Sequence, residues 1–385
     1  MKPPIPSVPA DIRTARLILN ALPNLGPVSC RRLCEEFGSV GGIFRASREQ
    51  LLRVKGVGSV LADTLIRWRE HFDPAREMEK MTSAGVTFAI PEDADVYPPL
   101  LLEIYDPPQG LYCTAPFKWG SKCVAIVGTR RVSSYGKMMA RLLGRGLAAA
   151  GWCVVSGMAR GVDTAAHLGA LEAGGPTVAV LGCGADIAYP PENKNLMRDI
   201  TSAGAVISEF PLGRNADKQT FPMRNRIISG ISRAVVVVES DEKGGGMITA
   251  RFAGEHGRIV CAVPGRADTA YSRGCHALIR DGATLVTCVD EVLEELGGGR
   301  NVSAQTEMDF GNGAGAAAVP MSELEKKVLE CLSGGVRFSV DSIAEQTGES
   351  VASLSGTLLM MELSRLVEKM PDGGYEAAGF TRRAG

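Results

Sequence analysis

The chain has 385 residues, which is too long for one ordinary hydrophobic core and predicts two or three domains. Its formal net charge is −1, so a nucleic-acid site would need local clustering of basic residues. The 10 cysteines include no CxxC pair, which argues against a disulfide framework or a zinc site. We find no signal-peptide core and no apolar run of about 20 residues, and expect a cytoplasmic protein without a membrane segment.

Residues 1–80 predict a helical, helix–hairpin–helix or SAM-like domain with two glycine-containing turns, Leu22–Ser29 and Val54–Ser59. A G-x-G turn that opens a helix can present backbone N–H groups to an anion such as a DNA phosphate. The other interpretation is a tight turn between packed helices, since Gly26-Pro27 lacks the second glycine. Both interpretations stay open.

Residues 81–298 are expected to form one domain. Residues 85–120 predict a short strand followed by a proline-rich extended segment and loop. From Lys122 onward, short apolar and β-branched runs alternate with helical stretches. Such a pattern predicts an α/β fold with a mostly parallel, doubly wound sheet of the extended Rossmann-like kind. The predicted strands are Val86–Ile90, Cys123–Val127, Cys153–Ser156, Thr177–Leu181, Ala205–Ser208, Ala234–Glu239, Arg258–Val263 and Thr284–Val286. Ligands of these folds bind at the carboxyl ends of the strands.

The C-terminal part begins with a glycine-rich stretch, residues 299–319, that predicts a flexible linker. Residues 320–385 follow with three helical segments and a hairpin at Lys369–Ala377, an order typical of a winged helix. The candidate recognition helix, Val351–Arg365, has no Lys or Arg before Arg365. Reading a duplex requires such cations, so the sequence favours a contact with protein or a regulatory role here.

Glycine, hydroxyl and arginine residues follow five successive predicted strands. Glycine lets the backbone approach a ligand, helix N-termini favour anions, and arginine binds phosphate in a bidentate way. Between Arg214 and Arg233 the sequence has five basic residues and one acid. The sequence therefore predicts a phosphate-binding edge.

Each piece also has an ordinary structural interpretation. Gly182-Cys183-Gly184 can be a simple turn, Asp163 a helix N-cap, and His167 a packed histidine. Arg226 and Arg233 can lie on a solvated helix face. Convergence at five strand ends favours the functional interpretation.

Several classes of chemistry are not indicated. The sequence has no P-loop, no dinucleotide fingerprint after a strand, no metal-ligand cluster and no nucleophile–base set. We therefore expect binding rather than catalysis, with no catalytic residue, no cofactor and no metal.

Five ordered motifs carry a family resemblance: Val124–Arg130, Ser156–Asp163 with His167, Val180–Asp186 with Tyr189-Pro190, Phe221–Gly230, and Met247–Gly265. In this order they resemble the DprA/Smf (DNA processing A) family. The resemblance implies a homodimer that binds and protects single-stranded DNA without sequence preference. It also implies that the protein loads the RecA recombinase during natural transformation or recombination.

The resemblance and the strand-end residues together give a candidate site. The residues expected to bind single-stranded DNA are Gly128, Thr129, Arg130, Ser156, Gly157, Gly161, Lys194, Lys218, Phe221, Arg224, Asn225, Arg226, Gly245 and Thr249. The resemblance implies phosphate contacts for the lysines, Arg130 and Arg224, and base stacking for Phe221. The sequence departs from the family pattern at Gly244–Gly246 and at Cys275-His276.

An enzyme is the alternative. Related Rossmann-like proteins include nucleotide-processing phosphoribohydrolases with a catalytic Glu/Arg pair. Glu239 and Arg251 are the residues of this chain that could be its remnant.

Overall fold

A computed structural model of the chain describes residues 8–120, 122–297, 322–332, 337–364, 366–370 and 373–377. Residues 1–132 and 139–299 form one compact unit, and residues 133–138 and 300–385 form a second. The predicted linker, residues 299–319, lies outside the described residues. The predicted domain boundaries therefore stay predictions.

The helices are α1 (Ile12–Ala21), α2 (Pro27–Phe37), α3 (Val40–Ile43), α4 (Arg48–Arg53), α5 (Ser59–Ile66), α6 (Trp68–His71), α7 (Pro74–Ala84), α8 (Ser134–Ala149), α9 (Val162–Glu172), α10 (Lys194–Ala203), α11 (Thr220–Gly230), α12 (Gly245–Glu255), α13 (Ala270–Arg280), α14 (Val289–Glu295), α15 (Glu323–Cys331), α16 (Val340–Thr347) and α17 (Val351–Leu363). Two 3₁₀ helices span Pro99–Glu103 and Pro191–Asn193. None of the helices in the described part of the chain is long and apolar enough to cross a membrane.

The strands are β1 (Thr87–Ala89), β2 (Leu111–Cys113), β3 (Cys123–Val127), β4 (Cys153–Ser156), β5 (Thr177–Leu181), β6 (Ala205–Ser208), β7 (Ala234–Val237), β8 (Ile259–Ala262), β9 (Thr284–Leu285), β10 (Val367–Lys369) and β11 (Tyr375–Ala377). Strands β3 to β6 begin and end where the sequence predicts them. Strand β2 was not predicted.

Helices α1 to α6 pack around a core of their own. It includes Leu19, Leu33, Leu51 and Trp68. The turn before α5 contains Gly56, whose φ of 91° favours glycine. Arg32 of α2 donates to the carbonyl of Lys55 (3.2 Å) in this turn, so the contact links α2 to the second glycine turn.

The large sheet has the order β1-β2-β6-β5-β4-β3-β7-β8-β9 among the described residues. Strands β3 to β9 run parallel, and β2 joins β6 in the antiparallel direction. Most parallel strands are buried throughout, as expected where helices cover both faces. The predicted mixed α/β, doubly wound Rossmann-like class is confirmed.

The second unit contains α15 to α17 and the β10–β11 hairpin around a core that includes Val328, Ile343, Leu358 and Val367. A further bridge joins Phe338 to Tyr375. Three helices followed by a hairpin form the predicted winged helix. Helix α17 has no basic residue, and Leu359 and Met360 on it are exposed.

Candidate functional site at the carboxyl edge of the sheet

The order in which strands are added to the sheet reverses between β3 and β7. The chain adds β4, β5 and β6 on one side of β3 and then crosses to the other side to add β7. The loops after β3 and β7 meet there. The Thr129 amide donates to the Glu239 carbonyl (2.7 Å), and a Cβ at Gly128 would lie 2.7 Å from that oxygen. Gly128 therefore allows a close approach of two loops, at the position where open α/β sheets bind ligands.

Arg224, expected to contact phosphate, lies inside the protein. Its side chain is 4% exposed, and Nη1 donates to the carbonyls of Gly157 (2.8 Å) and Val180. A Cβ at Gly157 would overlap this guanidinium. Gly157 is thus required by the buried arginine, and in this arrangement Arg224 holds α11 to the ends of β4 and β5.

A carboxylate, Asp163, occupies backbone donors of the loop after β4. Its Oδ2 accepts from the amides of Gly157 (3.2 Å) and Ala159 (3.3 Å). Burial raises the pKa of the Asp163 carboxyl, and the nearby charge of Arg224 opposes this rise. Asp163 is not the N-cap of α9, because Gly161 holds that position.

Arg226 is also buried, in a second charged cluster. Its Nη2 donates to both carboxylate oxygens of Glu209 (2.5 and 2.6 Å), and its Nη1 donates to the Asp106 carbonyl (2.5 Å). Burial raises the pKa of the Glu209 carboxyl, and the Arg226 charge opposes the rise. The sequence allowed Arg226 to bind phosphate or to lie on a solvated helix face. In the structure it does neither, since its N–H donors bind internal partners.

Three other expected site residues are buried at the same edge. The Ser156 hydroxyl donates to the Ile126 carbonyl (2.6 Å). Asn225 accepts from Nε of Arg224 (3.1 Å) and donates to the Gly245 carbonyl (3.4 Å). Thr249 donates to the same carbonyl (3.4 Å). These residues connect the strand ends to α11 and α12.

The accessible part of the expected site consists of cations and an aromatic ring. Arg130, Lys194 and Lys218 are exposed, and Phe221 is half-buried. The guanidinium carbon of Arg130 lies 4.6 Å from the Phe221 ring centre. Phe221 also packs against Gly182 at the end of β5, where an added Cβ would lie 3.2 Å from the ring.

The five basic residues between Arg214 and Arg233 do not form one patch. Arg224 and Arg226 are buried, and Arg214 pairs with Asp217 (2.7 Å). Arg233 precedes β7, at the opposite edge of the sheet. Among the described residues of this run, Lys218 is therefore the exposed cation without an ion pair that lies at the carboxyl edge.

Sequence reasoning missed three accessible residues of the same edge. Tyr189, which is 39% exposed, has its ring centre 5.4 Å from that of Phe221. Arg160 and Glu192 form an ion pair between the loops that follow β4 and β5. All three residues follow predicted strands, and this position in the sequence could have identified them as candidates for the site.

Models of protein families match the chain in three places. The model of DNA recombination-mediator protein A matches residues 88–297, more than half of the chain. The chain belongs to the DprA/Smf family. The model of the DprA winged helix domain matches residues 313–373, and that of a SAM-like helix-hairpin-helix tandem matches residues 16–67.

Individual members of the DprA/Smf family agree with this assignment. Protein Smf of Synechocystis is 32% identical over 91% of this chain and 95% of its own length. The X-ray structure of DprA from Streptococcus pneumoniae is 32% identical and covers 73% of this chain and 97% of that one, with a TM-score of 0.62. A DprA structure from Helicobacter pylori, which describes a single-stranded DNA binding mode, is 30% identical over 55% of this chain and 95% of that one, with a TM-score of 0.50.

The two departures from the DprA/Smf pattern have local structural roles. His276 Nε2 lies 3.0 Å from the Gly265 carbonyl, and a Cβ at Gly274 would lie 2.6 Å from the Ser240 carbonyl. Gly244 is the N-cap of α12, and Gly245 has open space around its Cα. Arg251, one half of the possible catalytic remnant, pairs with Glu255 (3.6 Å).

Proposed function

We propose that this protein binds single-stranded DNA without sequence preference at the carboxyl edge of the large sheet. The observation that carries the proposal is the accessible group of Arg130, Phe221 and Tyr189, with Lys194 and Lys218 exposed in the loops of the same edge. Cations attract phosphates, and aromatic faces stack on any base. Unpaired bases are available for stacking in single strands, which favours them over duplex DNA.

Similarity to the H. pylori structure supports the same ligand, because that structure describes a single-stranded DNA binding mode. With a net charge of −1 the whole protein does not attract DNA. Local cations therefore have to supply the attraction, and the exposed ones of this edge fit that requirement.

Within this proposal the buried arginines act indirectly. Arg224 and Arg226 fix α11 against the strand ends and against Glu209, and α11 carries Phe221 in its first turn. Gly128, Thr129, Gly161 and Gly245 are partly or fully accessible and would line the DNA path with backbone groups. Ser156, Gly157, Asn225 and Thr249 would support it from below.

We further propose, from the family, a role in DNA processing during transformation, with homodimer formation and loading of RecA on the bound strand. The winged helix would contact protein rather than duplex DNA, since α17 lacks cations. The chain would bind rather than convert its ligand. Release of free base from nucleoside monophosphates would instead support the phosphoribohydrolase-like alternative.

The test is a fluorescence anisotropy titration of labelled single-stranded and duplex oligonucleotides of equal length and mixed sequence, at several salt concentrations. We expect tighter binding of single strands, little dependence on sequence and a steep loss of affinity with salt. RecA filament assembly on the same strands, with and without this protein, tests the loading role. Equal affinity for duplex and single strand would contradict the proposed ligand.

A further inference from the structure

Glu192, an acidic residue, lies at the edge proposed to bind phosphates. It follows β5 and forms an ion pair with Arg160, which follows β4. A phosphate-binding surface gains nothing from an exposed carboxylate, which repels the ligand. The presence of Glu192 there calls for a physical explanation.

The backbone beside this ion pair lies close to the backbone of Arg130. Gly161, next to Arg160, has a φ of 83°, and a Cβ added there would lie 3.0 Å from the Arg130 carbonyl. On the other side, the buried Asn193 donates to the Met158 carbonyl (2.9 Å) and to the Thr164 hydroxyl (2.8 Å). Asn193 thereby fixes the loop that carries Glu192.

The ion pair between Arg160 and Glu192 contributes little to the stability of the fold. The Arg160 and Glu192 side chains are 63% and 49% exposed, whereas the Arg226 and Glu209 side chains are 4% and 9% exposed. Exposed ion pairs contribute little to folding because water screens them. Their geometry can nevertheless matter for a charged ligand that arrives from solvent.

We propose that Arg160 is a further phosphate-binding residue and that Glu192 occupies it in the free protein as a substitute for a DNA phosphate. A guanidinium can donate to a carboxylate or to a phosphate with the same pair of N–H groups. An arriving strand displaces the Glu192 carboxylate from Arg160. Glu192 is then an internal competitor that lowers the affinity of the edge for single strands. The inference rests on the proposed function and adds to it an internal group that limits the affinity for single strands.

Glu192→Gln removes the competitor and keeps the side-chain shape. In the wild type, the displaced Glu192 carboxylate takes up a cation from solution and so offsets the counterion that the phosphate releases. Without this carboxylate the offset is gone, and the slope of log affinity against log salt should steepen by about 0.7. The same relation gives a gain of about fivefold in affinity at about 0.1 M salt. Anisotropy titrations with a labelled oligothymidylate measure both quantities on the full chain.

Glu255→Gln is the matched control, since Glu255 is also exposed and paired with an arginine. It lies at the end of α12, away from the carboxyl edge where this helix begins. The control should leave affinity unchanged. In Arg160→Gln/Glu192→Gln the gain should be lost, because the released cation is absent.

The outcomes separate the two proposals. If the wild-type chain fails to bind the oligothymidylate, both are overturned. If it binds and Glu192→Gln changes neither affinity nor salt slope, this inference alone is overturned. An equal gain in Glu255→Gln, or a gain that survives in the double variant, overturns it as well, because net charge then explains the effect. A marked loss of melting temperature in Glu192→Gln would show a structural ion pair and would also overturn it.

Discussion

The guanidinium of Arg130 lies over the Phe221 ring, with 4.6 Å between the guanidinium carbon and the ring centre. The contact joins the loop after β3 to the first turn of α11. It places a positive charge beside an aromatic surface. The charge can bind a phosphate of a single strand, and the ring can stack on one of its bases. The charge and the ring can be tested separately.

Arg130→Gln should weaken single-strand binding about fivefold at about 0.1 M salt, and the salt slope should become shallower by about 0.7, since one phosphate contact is lost. Because Arg130 is exposed, the melting temperature should stay unchanged. Anisotropy and thermal unfolding check both expectations.

Arg251→Gln is the control for this variant. Arg251 is likewise exposed and lies over an aromatic ring, that of Phe252, at 5.6 Å. It should bind single strands as the wild type does. An equal loss in both variants would reduce the role of Arg130 to its contribution to net charge.

Phe221→Ala should cost about 1–3 kcal/mol of binding free energy if the ring stacks on a base. The salt slope should stay as in the wild type, because the ring carries no charge. Phe221→Tyr keeps an aromatic face and should retain most of the affinity. If the alanine variant binds normally, Phe221 only supports Arg130 and Tyr189.

Arg224→Ala should act on stability, unlike the change at Arg130. Removing the guanidinium leaves the Gly157 and Val180 carbonyls without this donor and leaves buried Asp163 without its nearby positive charge. We expect a loss of about 3 kcal/mol in the free energy of unfolding. Urea denaturation measures it.

Gly157→Ala tests the same contact from the other side. In the wild type the added methyl group overlaps the guanidinium and should destabilise the protein by about 1–3 kcal/mol. Combined with Arg224→Ala, it should cost clearly less, since the overlapping group is gone. Additive losses in the free energy of unfolding would contradict this contact. An Arg224→Ala variant that is stable but binds single strands with a shallower salt slope would show that Arg224 contacts the DNA.

The contrast between Arg130 and Arg224 shows what the sequence could predict. Apolar β-branched runs separated by helices predicted β3 to β6 to the residue, because strands buried on both faces leave that pattern. Strand β2 has only three residues between proline-containing segments, and its pairing with β6 across the sheet cannot be read locally.

The burial of individual arginines was equally hidden. Gly157 and Val180, the partners of Arg224, are 67 and 44 residues away in the chain. A basic residue near a strand end looks the same in sequence whether its donors face solvent or buried carbonyls. The glycines had the same ambiguity, because Gly157 serves a neighbouring guanidinium rather than a bound ligand.

His167 combines a hydrogen bond with complete burial. Its Nδ1 lies 2.7 Å from the Thr177 hydroxyl, which itself donates to the Val154 carbonyl (2.7 Å). Nδ1 must therefore carry the proton that the hydroxyl accepts, and Nε2 is left as a bare acceptor. Among the described residues Nε2 has no hydrogen-bond partner.

Burial lowers the pKa of His167 from 6.5 to about 3, so the folded protein keeps the ring neutral where the unfolded chain protonates it. The unfolded state therefore binds more protons below pH 6.5, and the stability from this neutral ring, complete above that pH, is lost as the pH falls towards 3. The free energy of unfolding should drop by up to about 1.4 kcal/mol per pH unit from this residue. His167→Asn keeps a donor for Thr177 without titrating, so it should flatten this dependence in urea denaturation between those pH values. A His167→Asn profile with the wild-type slope would mean that His167 takes up a proton in the folded state.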